Sequence, residues 1–180
     1  EVVPADNFRV PIPDENFRKY LLEELKIEND GATVAYGDIK NIKNVICRGK
    51  VIQSLEGIEY FTALTSLHCH NNQLTSLDFS KNLALTFLFC RNNQLTSLDV
   101  SKNTSLLGLS CWKNELTSID VSKNAALTKL NCCNNQLTSL DVTKNTALKY
   151  LSCAGNQLTS LDISKNTALT NSRCNDNQLT

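Results

Sequence analysis

Cysteine recurs at intervals of 21 residues through most of this chain, and this spacing constrains the fold more than any other feature. Numbered from its first residue, each full copy of the repeat has leucine at positions 1, 4 and 11, cysteine at 6, and asparagine at 9 and 19. Full copies begin at Leu64, Leu85, Leu106, Leu127 and Leu148, and a partial copy begins at Leu169. A degenerate copy occupies residues 42–63, with Cys47 in the cysteine position. Such repetition indicates a solenoid of stacked copies.

The repeated frame resembles the leucine-rich-repeat pattern L-x-x-L-x-L-x-x-N-x-L, with cysteine in the sixth position. Positions 4 and 6 alternate with 3, 5 and 7, which indicates a short strand whose leucine and cysteine side chains face inward. One copy cannot bury its apolar edge, but stacked copies share a continuous core. We therefore predict a repeat solenoid: a right-handed leucine-rich-repeat coil with short parallel strands, no helix on the return side, and a small N-terminal helical cap.

Two regions follow from the limits of the repeat: residues 1–41 form the N-terminal helical cap, and residues 42–180 form the solenoid. Asp14 can begin a helix in which Phe17 and Tyr20 recur at helical spacing, and we expect this helix to end near Lys26. A second short helix is expected at about residues 35–42. The last copy stops in mid-repeat, so we expect that the natural protein continues or that the chain was cut there.

The loop Asn29-Asp30-Gly31 has a faint likeness to a calcium-binding loop. With Gly31 at loop position 6, however, the two positions that should be acidic hold Lys26 and Gly37. A plain turn is the better interpretation.

The cysteines are expected to form a buried ladder of free thiols, because stacked equivalent side chains point the same way and seven in-frame cysteines cannot all pair. Cys133 lies at position 7, on the exposed side, and is the thiol expected to react with solvent reagents. The position-9 asparagines should satisfy backbone groups of the turn in their own and adjacent copies. The position-19 asparagines are expected in a left-handed turn conformation.

Charge is balanced, with 18 basic and 18 acidic side chains and a formal net charge of zero. This balance argues against a nucleic-acid binder, which needs a basic face, and against a polybasic membrane anchor. No apolar run approaches the roughly 20 residues that a membrane-spanning helix needs. The chain begins without a signal segment, which we interpret as a mature or trimmed form.

The return segment Leu-Thr-Ser-Leu-Asp-Val-Ser-Lys-Asn, together with the cysteine ladder, resembles bacterial surface leucine-rich-repeat proteins, including the internalin-like cysteine-ladder group. The opening from Ile12 to Arg18 and the segment from Leu55 to Phe61 are similar to the cap of those proteins. This resemblance implies secretion to the cell surface and a role in adhesion or protein recognition. It specifies no partner, because the shared residues belong to the scaffold.

The outward strand positions differ between copies, whereas the return side is nearly constant. We expect positions 3, 5 and 7 to form the concave face of a gently curved coil. The candidate binding residues on this face are His68, His70, Phe87, Phe89, Arg91, Trp112, Lys129 and Tyr150. Exposed aromatic residues beside arginine are typical of a binding patch, although single exposed aromatics also occur without any function.

The sequence therefore predicts a non-catalytic binding or adhesion module that recognises a protein ligand and does not insert into a membrane. One alternative is a carbohydrate-binding surface on Trp112, Phe89 and Tyr150. A second alternative is a structural spacer that projects a C-terminal domain.

Neither an active site nor a cofactor site is expected. The chain has only two histidines, its acids lie mostly on the return side, and no set of nucleophile, base and orienting group can be assembled. His68 and His70 face outward together, but their neighbours Phe89 and Arg91 offer zinc no further ligand. We therefore expect no metal and no cofactor.

Overall fold

The computed structural model describes residues 3–180, and its first elements form a small cap. In chain order these elements are β1 (Arg9–Pro11), α1 (Glu15–Leu25), β2 (Thr33–Ala35) and α2 (Tyr36–Ile39). The Asp14 carboxylate accepts the backbone N–H of Phe17 at 2.9 Å and begins α1, while Lys26 ends it in a left-handed conformation. The predicted helix is confirmed, whereas the second helix is shorter than expected.

Nothing in the sequence pattern predicts the antiparallel pairing of β1 with β2. Each strand has only three residues, too few for apolar alternation to be recognised. Val10 and Val34 lie opposite each other in this pair and are fully buried. The pairing is thus decided by the burial of these side chains within the cap rather than by a local sequence signal.

Contacts from α1 hold the cap against the first turn of the solenoid. The second carboxylate oxygen of Asp14 accepts the backbone N–H of Gln53 at 2.8 Å. Phe17 packs on Phe61 with ring centroids 6.2 Å apart, and the Tyr20 hydroxyl accepts a backbone N–H from the first strand of the main sheet at 2.8 Å. These contacts close the apolar end of the coil, which is the role of a terminal cap.

The rest of the chain forms a solenoid in which each turn contributes one strand to a seven-stranded parallel sheet. The strands, in chain order, are β3 (Asn44–Ile46), β4 (Ser66–His68), β5 (Phe87–Phe89), β6 (Gly108–Ser110), β7 (Lys129–Asn131), β8 (Tyr150–Ser152) and β9 (Asn171–Arg173). Equivalent positions pair in register, as Leu67 does with Leu88. The return segment of the first turn contains a 3-10 helix (Ile58–Tyr60), whereas those of the full copies consist of turns, bends and irregular backbone. The predicted parallel-strand solenoid is confirmed.

Stacked leucines and cysteines fill the interior of the coil. All eight cysteines are free, and the in-frame thiols from Cys47 to Cys153 are buried, whereas Cys174 in the last turn is half-buried. Burial raises the pKa of Cys47 and Cys90 to about 12, because a thiolate would lose its hydration there. The thiols therefore stay protonated at neutral pH and pack as small apolar groups, which confirms the predicted ladder.

The position-9 asparagines connect adjacent turns from inside the coil. The Nδ2 group of Asn114 donates to the carbonyl oxygens of Cys90 (3.1 Å) and Cys111 (2.9 Å), while its Oδ1 accepts the Leu95 N–H at 3.1 Å. The same three bonds recur around Asn135. These side chains satisfy backbone groups of their own and the preceding turn, as predicted.

The prediction for the position-19 asparagines is wrong. Asn103 is fully buried, and its Nδ2 donates to the carbonyl oxygens of Phe79 (3.1 Å) and Asn82 (3.0 Å). The left-handed residues lie instead at position 8, where the chain leaves the strand and φ is between 49° and 66°: Asn71, Asn92, Lys113, Asn134, Gly155 and Asp176. Asparagine suits both a left-handed turn and a buried amide, and only stacking on the preceding turn decides between them.

The two ends of the parallel sheet differ. α1 supplies a hydrogen-bond partner to β3, whereas β9 pairs with β8 and all three of its residues are exposed. None of the helices in residues 3–180 has the length and apolar character needed to cross a membrane.

Candidate functional site

Side chains at positions 3, 5 and 7 point away from the leucine core, and we call the surface that they form the strand face. Parallel register places equivalent positions of neighbouring turns about 4.8 Å apart, so residues 21 apart in sequence become neighbours. Seven of the candidate binding residues are exposed or half-buried on this face: His68, Phe87, Phe89, Arg91, Trp112, Lys129 and Tyr150. Their part in binding stays a prediction.

Three rings form a continuous aromatic cluster on β4 and β5. The rings of Phe87 and Phe89 are parallel within 7°, with centroids 6.3 Å apart, and the His68 ring lies 4.5 Å from that of Phe89. Phe87 is 37% exposed. Complete burial of a phenylalanine side chain stabilises by about 1.5–3 kcal/mol. The exposed part of this cluster is therefore apolar surface that a ligand could still cover.

Arg91 and Trp112 extend the cluster toward the next turn. The Arg91 guanidinium carbon lies 5.3 Å from the centroid of the Trp112 ring, which is a cation–π contact. Such contacts stabilise by about 0.5–1 kcal/mol at exposed sites, and this one limits the motion of both side chains. Tryptophan and arginine are also the residue types that most often dominate binding energy at protein interfaces.

The expectation of an open His70 side chain is wrong. His70 is only 6% exposed, and its Nδ1 is buried without a hydrogen-bond partner among the described residues. Alternation fixes the side of the sheet on which a residue lies, but not how far its neighbours enclose it. His70 stands in register between Arg48 and Arg91, and burial followed by the Arg91 charge lowers its pKa.

His68 remains accessible, and its pKa is also lowered, by burial and then by the Arg48 charge. Its Nε2 lies 3.0 Å from the Ser66 hydroxyl. Within residues 3–180, no three His, Cys, Asp or Glu side chains gather as metal ligands would. In the calcium-like loop, the Asp30 carboxylate forms an ion pair with Arg9 at 2.7 Å.

A depression lies beside the aromatic cluster, where Gly108 leaves the strand face without a side chain. We call it the Gly108 depression; its volume is about 250 Å³. The residues that line it are Phe87, Phe89, Gly108, Leu109, Ser110, Lys129, Asn131 and Tyr150. Four of the candidate residues thus meet around one concavity, although they come from three different turns.

Two exposed leucines were not among the candidates predicted from the sequence. Leu107 is 37% exposed, and its backbone N–H donates to the Thr86 carbonyl oxygen at 2.8 Å, next to Phe87. Leu83, in the segment that leads into β5, is 60% exposed. Both replace the threonine, alanine or lysine found at the same position in the other full copies. This departure from the repeat could have identified both leucines, although their positions were treated as part of the scaffold.

Cys133 is half-buried rather than fully open, and its Sγ lies 2.8 Å from the Ser152 hydroxyl. Cys174 is equally half-buried, so exposure does not single out Cys133. The reactivity of Cys133 stays a prediction.

Known proteins share both the repeat and the overall architecture. A sequence profile for leucine-rich repeats (two copies) matches residues 125–171. Among solved structures, internalin C2 of Listeria monocytogenes aligns with a TM-score of 0.85 at 25% identity, over 96% of this chain and 81% of that one. The present chain is a leucine-rich-repeat solenoid with an internalin-like architecture. The resemblance predicted from its cysteine ladder is therefore confirmed.

Two further solved structures, both of Listeria monocytogenes proteins, align with the present chain. The internalin InlF aligns with a TM-score of 0.67 at 19% identity, over 98% of this chain and 68% of that one. The functional domain of InlJ, which includes a cysteine ladder, has a TM-score of 0.49 and 27% identity, over 99% of this chain and 54% of that one. The solenoid thus spans about half the length of the InlJ domain. Comparison with curated proteins finds no significant match.

Proposed function

We propose that the internalin-like solenoid is a non-catalytic recognition module whose strand face binds a protein ligand. One observation carries the proposal: the stacked pair Phe87–Phe89 and the cation–π pair Arg91–Trp112 occupy neighbouring, partly exposed positions of the strand face. Exposed aromatic groups next to arginine are the usual anchors of a protein interface. The resemblance to internalins supports a role in adhesion and a secreted or cell-surface location.

The scaffold favours binding because its strand face is already ordered. Strand β5 is held in register by both neighbouring strands, and the cluster residues are fixed further by ring stacking and by the Arg91–Trp112 contact. Little conformational entropy would be lost when a partner covers these side chains. The exposed side chain of Leu107, one residue before Gly108, would add to the apolar area available to that partner.

An array of purified extracellular proteins, probed with the labelled solenoid, tests this proposal. The double variant Phe89→Ala/Trp112→Ala should lose the signals given by the wild-type chain, because it removes the centre of the cluster. The matched control is Thr96→Ala/Thr117→Ala, which changes two exposed residues of the return side in the same two turns. Circular dichroism and thermal unfolding should show that all three chains are folded.

The results separate the proposal from its alternatives. Signals that survive in Phe89→Ala/Trp112→Ala would remove the strand-face cluster as the binding site. Signals only on a parallel glycan array, again lost in that variant, would replace the protein ligand by a carbohydrate. Silence on both arrays would favour the spacer role.

A further inference from the structure

We propose that the ligand segment recognised by the strand face is acidic and carries one apolar side chain that enters the Gly108 depression. This inference rests on the proposed function and adds the chemistry of the ligand. Two independent observations support it: the excess of positive charge on the strand side of the coil, and the shape of the depression.

The strand side of the coil carries basic side chains and no acidic ones. We define the strand segment of each turn as positions 2 to 7, which runs from residues 43–48 in the first turn to residues 170–175 in the last. None of the seven strand segments contains aspartate or glutamate, and their basic residues are Lys43, Arg48, Arg91, Lys129, Lys149 and Arg173. Because the whole chain has 18 basic and 18 acidic side chains, the other surfaces together carry a net charge of −6.

The acids of the repeats have a structural role on the return side. The Asp99 carboxylate accepts the backbone N–H of Ser101 at 2.8 Å, and the equivalent bond recurs in the other four full copies. This bond lowers the pKa of Asp99, because it stabilises the ionised carboxylate. Lys102 follows three residues later and balances it, as a lysine does in every full copy. The return side is therefore locally neutral, while the strand face is positive.

No acidic side chain of residues 3–180 forms an ion pair with the six strand-segment basic groups. The four ion pairs of the described chain all involve residues of the cap. Arg91 contacts Trp112, and Lys129 is exposed at the rim of the Gly108 depression. A surface with unpaired positive charge attracts an acidic partner and disfavours a basic one.

The Gly108 depression supplies the apolar half of the recognition. At about 250 Å³ it is smaller than typical small-molecule sites of roughly 300–1,000 Å³, which suits a single side chain of a larger partner. A Cβ atom at Gly108 would lie 2.9 Å from Phe87 Cδ1, so the Phe87 ring stands over the glycine. Lys129 pairs in register with Gly108, and Tyr150 with Lys129. An acidic residue next to the inserted side chain would therefore reach the Lys129 ammonium group.

A protein segment fits these features better than a nucleic acid or a sulfated glycan. The six basic residues are scattered over positions 2, 3, 5 and 7 and do not form the continuous track that a phosphate backbone contacts. The depression is lined by two phenylalanines and by Leu109, which favours an apolar side chain over a sugar or a phosphate.

A random-peptide library displayed on phage tests this inference when it is selected against the immobilised solenoid. A parallel selection against Phe89→Ala/Trp112→Ala identifies and removes clones that bind elsewhere. We expect the remaining clones to carry aspartate or glutamate close to one apolar residue, without an excess of lysine or arginine. Heparin and an oligodeoxythymidylate serve as polyanion competitors.

The strongest clone, as a synthetic peptide, then allows the charge and the apolar contact to be tested separately. Lys129→Glu should weaken its affinity about tenfold or more, since a favourable charge becomes a like charge. Lys102→Glu, the same change on the return side, should leave the affinity unchanged. Replacement of the peptide's apolar residue by alanine should also weaken binding, and added salt should weaken binding to the wild type more than to Lys129→Glu.

Several results would overturn the inference while leaving the proposed function intact. These are strand-face clones that are neutral or basic, an affinity that Lys129→Glu does not change, or a peptide in which the apolar residue is dispensable. Competition by heparin or oligodeoxythymidylate against such a peptide would indicate a general polyanion surface instead. A library in which no clone distinguishes the wild type from Phe89→Ala/Trp112→Ala would count against the proposed function itself.

Discussion

Replacement of Asn114 should show how much the position-9 asparagines contribute to the solenoid. The Asn114 side chain makes three buried hydrogen bonds, to the carbonyl oxygens of Cys90 and Cys111 and from the N–H of Leu95. Asn114→Ala leaves the Leu95 N–H without its partner. It removes only one of two donors from each carbonyl oxygen, because Asn93 still donates to Cys90 and Asn135 to Cys111. Each buried polar group left unsatisfied costs about 1–3 kcal/mol. Each lost bond to a carbonyl oxygen that keeps another donor costs less, about 0.5–1.5 kcal/mol. Because water can also enter the vacated space, we expect the free energy of unfolding to fall by about 2–4 kcal/mol.

Asn114→Asp separates the loss of hydrogen bonds from the loss of volume. The carboxylate keeps the shape and can still accept the Leu95 N–H, but it offers no donor to the two carbonyl oxygens and adds a buried charge. We expect it to be at least as destabilising as Asn114→Ala, with the exposed Gln94→Ala as a control that changes stability by less than about 0.5 kcal/mol.

Urea unfolding followed by circular dichroism gives the free energies, and hydrogen exchange of the Leu95 amide reports the local bond. A loss of less than about 1 kcal/mol in both Asn114 variants would refute the claim that these buried hydrogen bonds stabilise the solenoid.

Two further predictions concern the thiols and the histidines. The native protein is treated with iodoacetamide at neutral pH, and mass spectrometry should find label only on Cys133 and Cys174. The buried ladder thiols should not react, because burial raises their pKa and excludes the reagent. Rapid labelling of Cys90 or Cys111 would contradict the buried ladder. The lowered pKa values of His68 and His70 mean that the unfolded chain, with a histidine pKa of about 6.5, binds protons before the folded one does as pH falls. The free energy of unfolding should therefore decrease from about pH 6.5 down to the folded-state pKa values and be independent of these groups above pH 6.5. His68→Gln/His70→Gln should flatten this slope in urea titrations at several pH values, and an unchanged slope would show that other groups cause it.

The repeat made the main features of the fold predictable. Position-specific leucines and cysteines identify the inward face, and five full copies in succession fix the register, so the parallel sheet and the thiol ladder need no tertiary information. The helix that begins at Asp14 was equally clear, because a capping residue and helical spacing are local signals. The β1–β2 pair and the position-19 asparagines were not predictable in this way. Their environment is set by contacts with distant residues, such as Val34 with Val10 and Asn103 with Phe79.

The candidate site, like the fold, was predictable from the sequence only in part. The sequence by itself determined which residues share the strand face and which of them depart from the repeat, because alternation and period are properties of the chain. Only the tertiary structure decided that His70 is enclosed, that Arg91 rests on Trp112, and that residues of four turns line a depression beside Gly108. The reason is physical: burial and cavities depend on the sizes and rotamers of side chains in the neighbouring turns. A sequence pattern identifies which residues become neighbours, but it does not determine how their side chains pack.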